Sequence, residues 1–293
     1  MIEGMAADPR SMSIRLQDGR RLGYADLGDP DGHPMFYFHG WPGSRLDPIP
    51  VIGAAERAGV RLLSVDRPGF GLSDPSPGRA LSDWPKDVGH LADHLHLDRF
   101  SVVGWSGGGP SVAACAWAMP DRVHSAGVVA GWSEMSKPSL RKEAGDRFML
   151  GLAARAPALL EPIMGLMSVA GRHLPDRVLM AIVAQGLGDS DKKVLANPKV
   201  AAAAVASGRE AFAQGRVGAT DDLRVTVGAW GFGLEDIALP LYLWEGADDH
   251  AVPPSVMADY RRISHNQYVE FPGEGHMIFY SRAEEIFRTL VRG

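Results

Sequence analysis

Three residues far apart in this 293-residue chain have the types and settings that nucleophilic catalysis asks for. Ser106 stands in GWSGGGP (104–110), a stretch of four glycines, a tryptophan, a proline and that one serine. A glycine-rich turn between a strand and a helix either cradles a phosphate on its backbone N–H groups or presents one side chain in a strained conformation. A dinucleotide site wants Gly-x-Gly-x-x-Gly, and Ser106 occupies the place of its second glycine. The spacing Gly104-x-Ser106-x-Gly108 fits the other alternative, a nucleophile elbow. A serine hydroxyl is a weak nucleophile at neutral pH, so it needs a histidine base and a carboxylate that holds the base. Those partners are expected after later strands, acid first and histidine second. WEGADDHAVPP (244–254) offers Asp248 and Asp249. GEGHM (273–277) offers His276, which alone among ten histidines follows the last expected strand in a glycine turn.

The elements around these residues have the rhythm such a site requires. SIRLQDGRRLGYADLG (13–28) reads as two strands with Asp18-Gly19 at the turn, a strong hairpin signal. MFYFHG (35–40), RLLSVD (61–66), FSVVGW (100–105) and VHSAGVVAGW (123–132) are short apolar runs alternating with segments that can hold helices. That is a βαβ series, hence a mostly parallel sheet covered on both faces. After Trp132 the rhythm stops for about a hundred residues of helical spacing, with helix starts marked at Pro175-Asp176 and Asn197-Pro198. Strands resume with LPLYLWEG (239–246) and NQYVEFPG (266–273), and SRAEEIFRTLVRG (281–293) reads as a closing helix.

Composition narrows the function classes. A formal net charge of −5 with 22% charged residues gives no basic excess for nucleic acid. The single cysteine, Cys115, sits in an alanine-rich run, so it reads as a small core residue and excludes a disulfide framework or a cysteine-rich metal site. No run of 18 or more apolar residues suggests a membrane span, and MIEGMAADPRSMS lacks the apolar region of a secretory signal. A cytoplasmic protein is expected, its first ten or so residues a loose tail. Nothing in the sequence bears on its oligomeric state.

Four stretches taken together resemble the α/β-hydrolase family across nearly the whole chain: HGWPGS (39–44), DRPGFGLSD (66–74), the elbow at Ser106, and the acid and histidine loops. The resemblance implies the α/β-hydrolase fold, an eight-stranded mostly parallel sheet flanked by helices, its second strand antiparallel. It also implies an inserted helical cap, giving a core over 1–132 and 236–293 and a cap over 133–235. The family's acid loop often reads Gly-x-x-Asp-x-x-Val-Pro, which Gly246, Asp249, Val252 and Pro253 match; this register selects Asp249 over Asp248. Glu134, after strand six, is the other place where relatives carry the acid. The family's His-Gly-x turn implies that the Trp41 N–H and the Gly107 N–H form an oxyanion hole.

With these parts the implied chemistry is acyl transfer, and a carboxylesterase acting on a small or medium apolar ester is expected, with no cofactor or metal. Serine at the elbow argues against haloalkane dehalogenases and epoxide hydrolases, whose relatives place aspartate there. Proline iminopeptidases usually carry Gly-x-Ser-Trp-Gly, where this chain has Gly107, and an aminopeptidase would need carboxylates for a substrate ammonium. Glu161, Asp189, Asp221 and Asp222 are available but unpatterned. Carbon–carbon bond hydrolases, amidases and perhydrolases share the triad, and a receptor could keep it as a binding device. His39 reads as a hydrogen-bonder beside the oxyanion turn. With Trp105, Trp132 and Trp230 it makes up the expected pocket residues, while Met135, Met149, Met164, Met167 and Met180 read as cap core. His90 and His94, one helical turn apart, read as a solvated face rather than a metal site. Asp66, Arg67 and Asp74 read as stabilisers of their own loop.

Overall fold

The structure, a computed structural model, describes residues 8–145 and 147–293. Strands β1 (Met12–Arg15) and β2 (Arg21–Gly28) form the antiparallel hairpin expected around Asp18-Gly19, where Gly19 takes φ 86°. Then β3 (His33–Phe38), α1 (Ile52–Arg57), β4 (Val60–Val65), α2 (Trp84–His94), β5 (Phe100–Trp105), α3 (Gly109–Ala118) and β6 (Val123–Val129) alternate. Between β6 and the next strand lie α4 (Pro138–Glu143), α5 (Arg147–Arg155), α6 (Pro157–His173), α7 (Asp176–Gln185), α8 (Asp189–Leu195), α9 (Pro198–Ala211) and α10 (Val217–Val227). The chain closes with β7 (Leu241–Gly246), α11 (Pro254–Met257), β8 (Asn266–Phe271) and α12 (Ile278–Arg292).

Eight strands form one sheet in the order β1-β2-β4-β3-β5-β6-β7-β8. β2 runs antiparallel to both its neighbours, and every other pairing from β4 to β8 is parallel. Successive side chains along a strand face opposite sides, so the near-continuous apolar strands bury both faces. Phe36, Phe38, Val102 and Val128 pack on one side with residues of α2 and α3. Met35, Tyr37, Val103 and Val129 pack on the other with residues of α1 and α12. Cys115 is buried in the first of these layers and is unbridged.

The insert between β6 and β7 joins the sheet through a third apolar cluster, in which Met135, Leu150 and Met164 pack with Trp132, Phe70 and Val256. Met149 and Met167 lie partly buried on this cluster, and Met180 packs on a separate one around Val200 and Met277. α9 starts where Asn197-Pro198 marks it, the Asn197 side chain accepting the Lys199 N–H at 3.0 Å. The closing helix begins at Ile278, three residues before the reading from sequence, because it springs directly from the histidine loop. The expected loose tail falls partly outside the described residues; residues 8–10 are tied down. The Pro9 carbonyl accepts the Asp26 N–H at 2.7 Å, and the Arg10 carbonyl accepts Arg45 Nε at 2.7 Å.

The β5–α3 junction depends on two glycines. A Cβ at Gly104 would lie 2.5 Å from the Gly108 carbonyl oxygen, and a Cβ at Gly108 would overlap the Phe38 carbonyl oxygen on β3. In both cases the obstacle is backbone, which cannot turn aside. Gly108→Ala is therefore expected to lower the unfolding free energy by about 3 kcal/mol, read as an earlier midpoint in urea. An unchanged midpoint would contradict the close approach.

Candidate active site

The strand-to-helix turn after β5 puts Ser106 at φ 54°, a left-handed conformation that residues with a Cβ seldom adopt. Its hydroxyl lies 3.0 Å from His276 Nε2, and His276 Nδ1 lies 2.8 Å from Asp249 Oδ2. All three are buried, at 5%, 7% and 3% exposure, so the contacts are shielded from bulk water. The other Asp249 oxygen accepts the backbone N–H groups of Ala251 and Val252, each at 2.8 Å, which fixes the carboxylate plane. Of the acids the sequence left in play, Asp248 is exposed, and Glu134 is paired with Lys137 and Arg262.

Trp105 is placed as a brace rather than as the pocket wall expected of it. Its indole N–H donates to the His276 carbonyl at 2.9 Å, and its ring packs on His276 and Tyr280 with centroids 5.3 and 5.4 Å away. A second brace was missed from the sequence. Asp191, on α8, is buried and accepts the Met277 N–H at 2.8 Å, so the insert holds the histidine loop from above. Nothing local in DSDKK marks that role.

Gly107 and Trp41 come together as the resemblance implies. A Cβ at Gly107 would lie 2.8 Å from Trp41 Cβ and 3.1 Å from Trp41 N. The HGW turn is clamped by Arg67, whose guanidinium donates to the His39 carbonyl and, at 3.1 Å, to the Gly40 carbonyl. Turning those carbonyls toward the arginine leaves the next N–H, that of Trp41, facing the other way. His39 is fully buried: Nδ1 donates to the Gly40 carbonyl at 2.8 Å and Nε2 accepts the Arg67 N–H at 3.1 Å. Burial and the neighbouring Arg67 hold its pKa well below the usual histidine value, so it stays neutral. His39 is thus part of the turn's scaffold and not a pocket wall.

Arg67 reaches well beyond its own loop. It forms a buried pair with Asp222 of α10 at 2.9 Å, and Arg79 joins the same carboxylate at 2.8 Å. α10 also accepts the Trp41 indole N–H on the Ala219 carbonyl at 3.0 Å. Asp66 accepts from Leu72 in its own loop but also from Arg45, and Asp74 accepts from the Arg21 N–H of β2, so both tie their loop to other segments. The acids set aside for a substrate ammonium are all engaged: Asp222 as described, Glu161 and Asp221 with Arg224, and Asp189 with Lys192.

Trp132 sits beside the nucleophile, its backbone N–H donating to the Ser106 carbonyl at 2.9 Å and its ring 5.8 Å from that of Trp41. Trp230 is not brought to the site. It packs on Phe232 and donates to the Thr226 carbonyl at 3.2 Å, as a core residue on the α2–α3 side of the sheet. Among the described residues no group of three or more His, Cys, Asp and Glu could hold a metal ion. A broad open depression of about 890 Å³ is lined by Arg20, Asp87, His90 and Trp117 and by none of Ser106, Asp249, His276, Trp41 or Gly107.

Residues 33–283 match the family described as the alpha/beta hydrolase fold. The chain belongs to the alpha/beta hydrolase fold family. Within that family it is 34% identical over 150 residues to a non-heme chloroperoxidase of Streptomyces lividans, covering 48% of this chain and 54% of that protein. The chain thus matches about half the length of this curated relative. In three dimensions it is similar to an enol-lactonase from Burkholderia xenovorans LB400, with TM-score 0.67 and 18% identity over 96% of this chain and 98% of the other. It is equally similar to a thermophilic esterase from Thermogutta terrifontis, with TM-score 0.67 and 19% identity over 96% and 97% of the two chains. Identities this low speak to the fold alone. No helix among the described residues is long and apolar enough to cross a membrane.

Two outcomes follow for this alpha/beta hydrolase. Asp222→Asn leaves Arg67 and Arg79 as buried cations without their carboxylate, and is expected to cost about 3–5 kcal/mol in chemical unfolding. Asp47 is buried, accepts the Gly40 N–H at 3.0 Å and the Ser207 hydroxyl, and burial pushes its pKa up from 3.8 to about 6. A carboxyl whose folded pKa is raised adds stability that is whole below the unfolded value and lost as pH rises through the folded one. From about pH 4 to pH 7 the wild type is therefore expected to lose about 3 kcal/mol relative to Asp47→Asn, measured by unfolding both proteins across that range.

Proposed function

We propose that this chain is a serine hydrolase that cleaves a small or medium apolar carboxylic ester by acyl transfer. The observation that carries the reading is the unbroken relay in which His276 contacts Ser106 Oγ at 3.0 Å on one ring nitrogen and Asp249 at 2.8 Å on the other. In this reading His276 Nε2 takes the Ser106 proton as Oγ attacks the ester carbonyl carbon, and the carbonyl oxygen becomes an oxyanion held by the Trp41 and Gly107 N–H groups. The oxyanion collapses, the C–O bond to the alcohol breaks, and His276 gives its proton to the departing alkoxide. Water, deprotonated by His276, then attacks the acyl-enzyme, and as the bond from Ser106 Oγ to the acyl carbon breaks His276 returns the proton to Oγ and the acid leaves. Asp249 keeps the Nδ1–H tautomer and balances the imidazolium charge. Every group these steps use belongs to the chain itself.

We read residues 133–235 as the cap over this site and Trp132 with the apolar cluster around Met135 as part of the acyl pocket. A small neutral substrate of this kind suits a cytoplasmic enzyme with no nucleic-acid partner. Pairing of Glu161, Asp221 and Asp222 with arginines weighs against an aminopeptidase, which would need such acids for an ammonium. The similarity to a non-heme chloroperoxidase favours one second reading, in which hydrogen peroxide replaces water as the acyl acceptor and a peroxy acid leaves in place of the acid.

Steady hydrolysis of p-nitrophenyl butyrate is expected, with Ser106→Ala lowering kcat by 10³-fold or more. Asp249→Asn is expected to lower it by about 10⁴-fold, and Asp248→Asn to leave it within about twofold. Equal activity of the two Asn variants would overturn the acid assignment. Stoichiometric fluorophosphonate labelling without turnover would instead mark a receptor.

A further inference from the structure

The residue beneath the triad acid is itself an acid that the proposed chemistry does not use. Glu245, last but one in β7, is completely buried, and its carboxyl group lies in hydrogen-bonding contact with that of Asp249. Its Oε1 accepts the Gly246 N–H at 3.0 Å, while its Oε2 is buried and meets no donor. The groups acting on it are Asp249 on the acid loop, Glu270 opposite it on β8, and Tyr268 on the same strand. None of these three is a cation. Two carboxylates in contact without a cation cannot both be ionised at low cost. Burial first, and then the Asp249 charge, push the Glu245 pKa far up. Asp249 has room for the donor that a neutral Glu245 would offer: Oδ1 takes two backbone N–H groups and Oδ2 takes His276, leaving one lone-pair direction of about four open.

We propose that Glu245 is a positioning residue, kept as a neutral carboxylic acid whose O–H donates to the Asp249 carboxylate and so holds down the basicity of His276. The inference rests on the Ser106–His276–Asp249 reading but concerns a proton that can be observed without turnover. A donor on Asp249 draws off part of its negative charge, so removing that donor makes Asp249 a stronger partner for imidazolium and raises the His276 pKa. An ionised Glu245 would do the opposite, because its own charge would already be raising that pKa.

The test is the NMR titration of the His276 imidazole in the wild type, Glu245→Gln and Glu245→Leu, together with the carboxyl carbon of Glu245 in 13C-glutamate-labelled wild type. Expected are a Glu245 carboxyl that keeps its protonated shift at pH 7 and a Gln variant within about 0.3 pH unit of the wild type. The Leu variant is expected to raise the His276 pKa by about one unit, a tenfold change in that proton's equilibrium. The acid limb of kcat/KM should follow the same order. An ionised Glu245 carbon at pH 7, or a Gln variant whose His276 pKa falls by a unit, overturns the proposal. The labelled wild type decides even if the Leu variant does not fold. Failure of the function reading looks different, since turnover would then survive Ser106→Ala while these titrations stayed as described.

Discussion

At Ser106 the backbone enters the left-handed region, at φ 54°, where an L-residue costs roughly 1–2 kcal/mol. The surrounding structure has to impose that conformation. β5 delivers the chain to the turn between β3 and β6, and α3 leads it away, with Gly104 and Gly108 letting strand and helix backbones touch. Trp132, in the loop after the next strand, then closes the turn by bonding to the Ser106 carbonyl. The strain raises one hydroxyl out of the sheet end and leaves it facing the loops of β3, β7 and β8, where Trp41, Asp249 and His276 wait.

Each of those loops is secured by hydrogen bonds of its own. The HGW turn is held by Arg67, the acid loop by its own Ala251 and Val252 N–H groups, and the histidine loop by Trp105 on one side and Asp191 on the other. Buried charges do much of this work, and their balance is uneven. Arg67 and Arg79 share Asp222 in close ion pairs, whereas burial outweighs the attraction of Arg67 at Asp47 and pushes the carboxyl groups of Asp47 and Glu245 up. Buried ionisable groups outside the Ser106–His276–Asp249 relay thus surround the candidate site.

What could be read from the sequence was whatever has a local signature. Gly104-x-Ser106-x-Gly108, the Asp18-Gly19 turn and the Asn197-Pro198 helix start each announce their geometry within a few residues, and the structure has them there. His276 was legible because its setting, a glycine turn after the last strand, is also local. Asp249 needed the longer Gly-x-x-Asp register to separate it from its neighbour. The Arg67–Asp222 pair spans 155 residues of chain and Asp191–Met277 spans 86, so neither leaves a mark in any window of sequence. Trp230 failed for a related reason: a bulky aromatic in a helical insert is equally at home over a pocket or in the core, and only packing on Phe232 decides.

The insert is not uniform in its attachment. α10 packs so closely that a Cβ at Gly69 would lie 2.7 Å from the Gly218 Cα, and the helix supplies Asp222 and the Ala219 carbonyl to the turn below. By contrast α7 buries none of its residues, and Leu166 on α6 is 72% exposed. Any rewriting of this molecule for a different substrate thus has two unequal territories. The exposed α7 can be exchanged with little consequence for the sheet, but α10 is built into the foundations and has to be inherited whole.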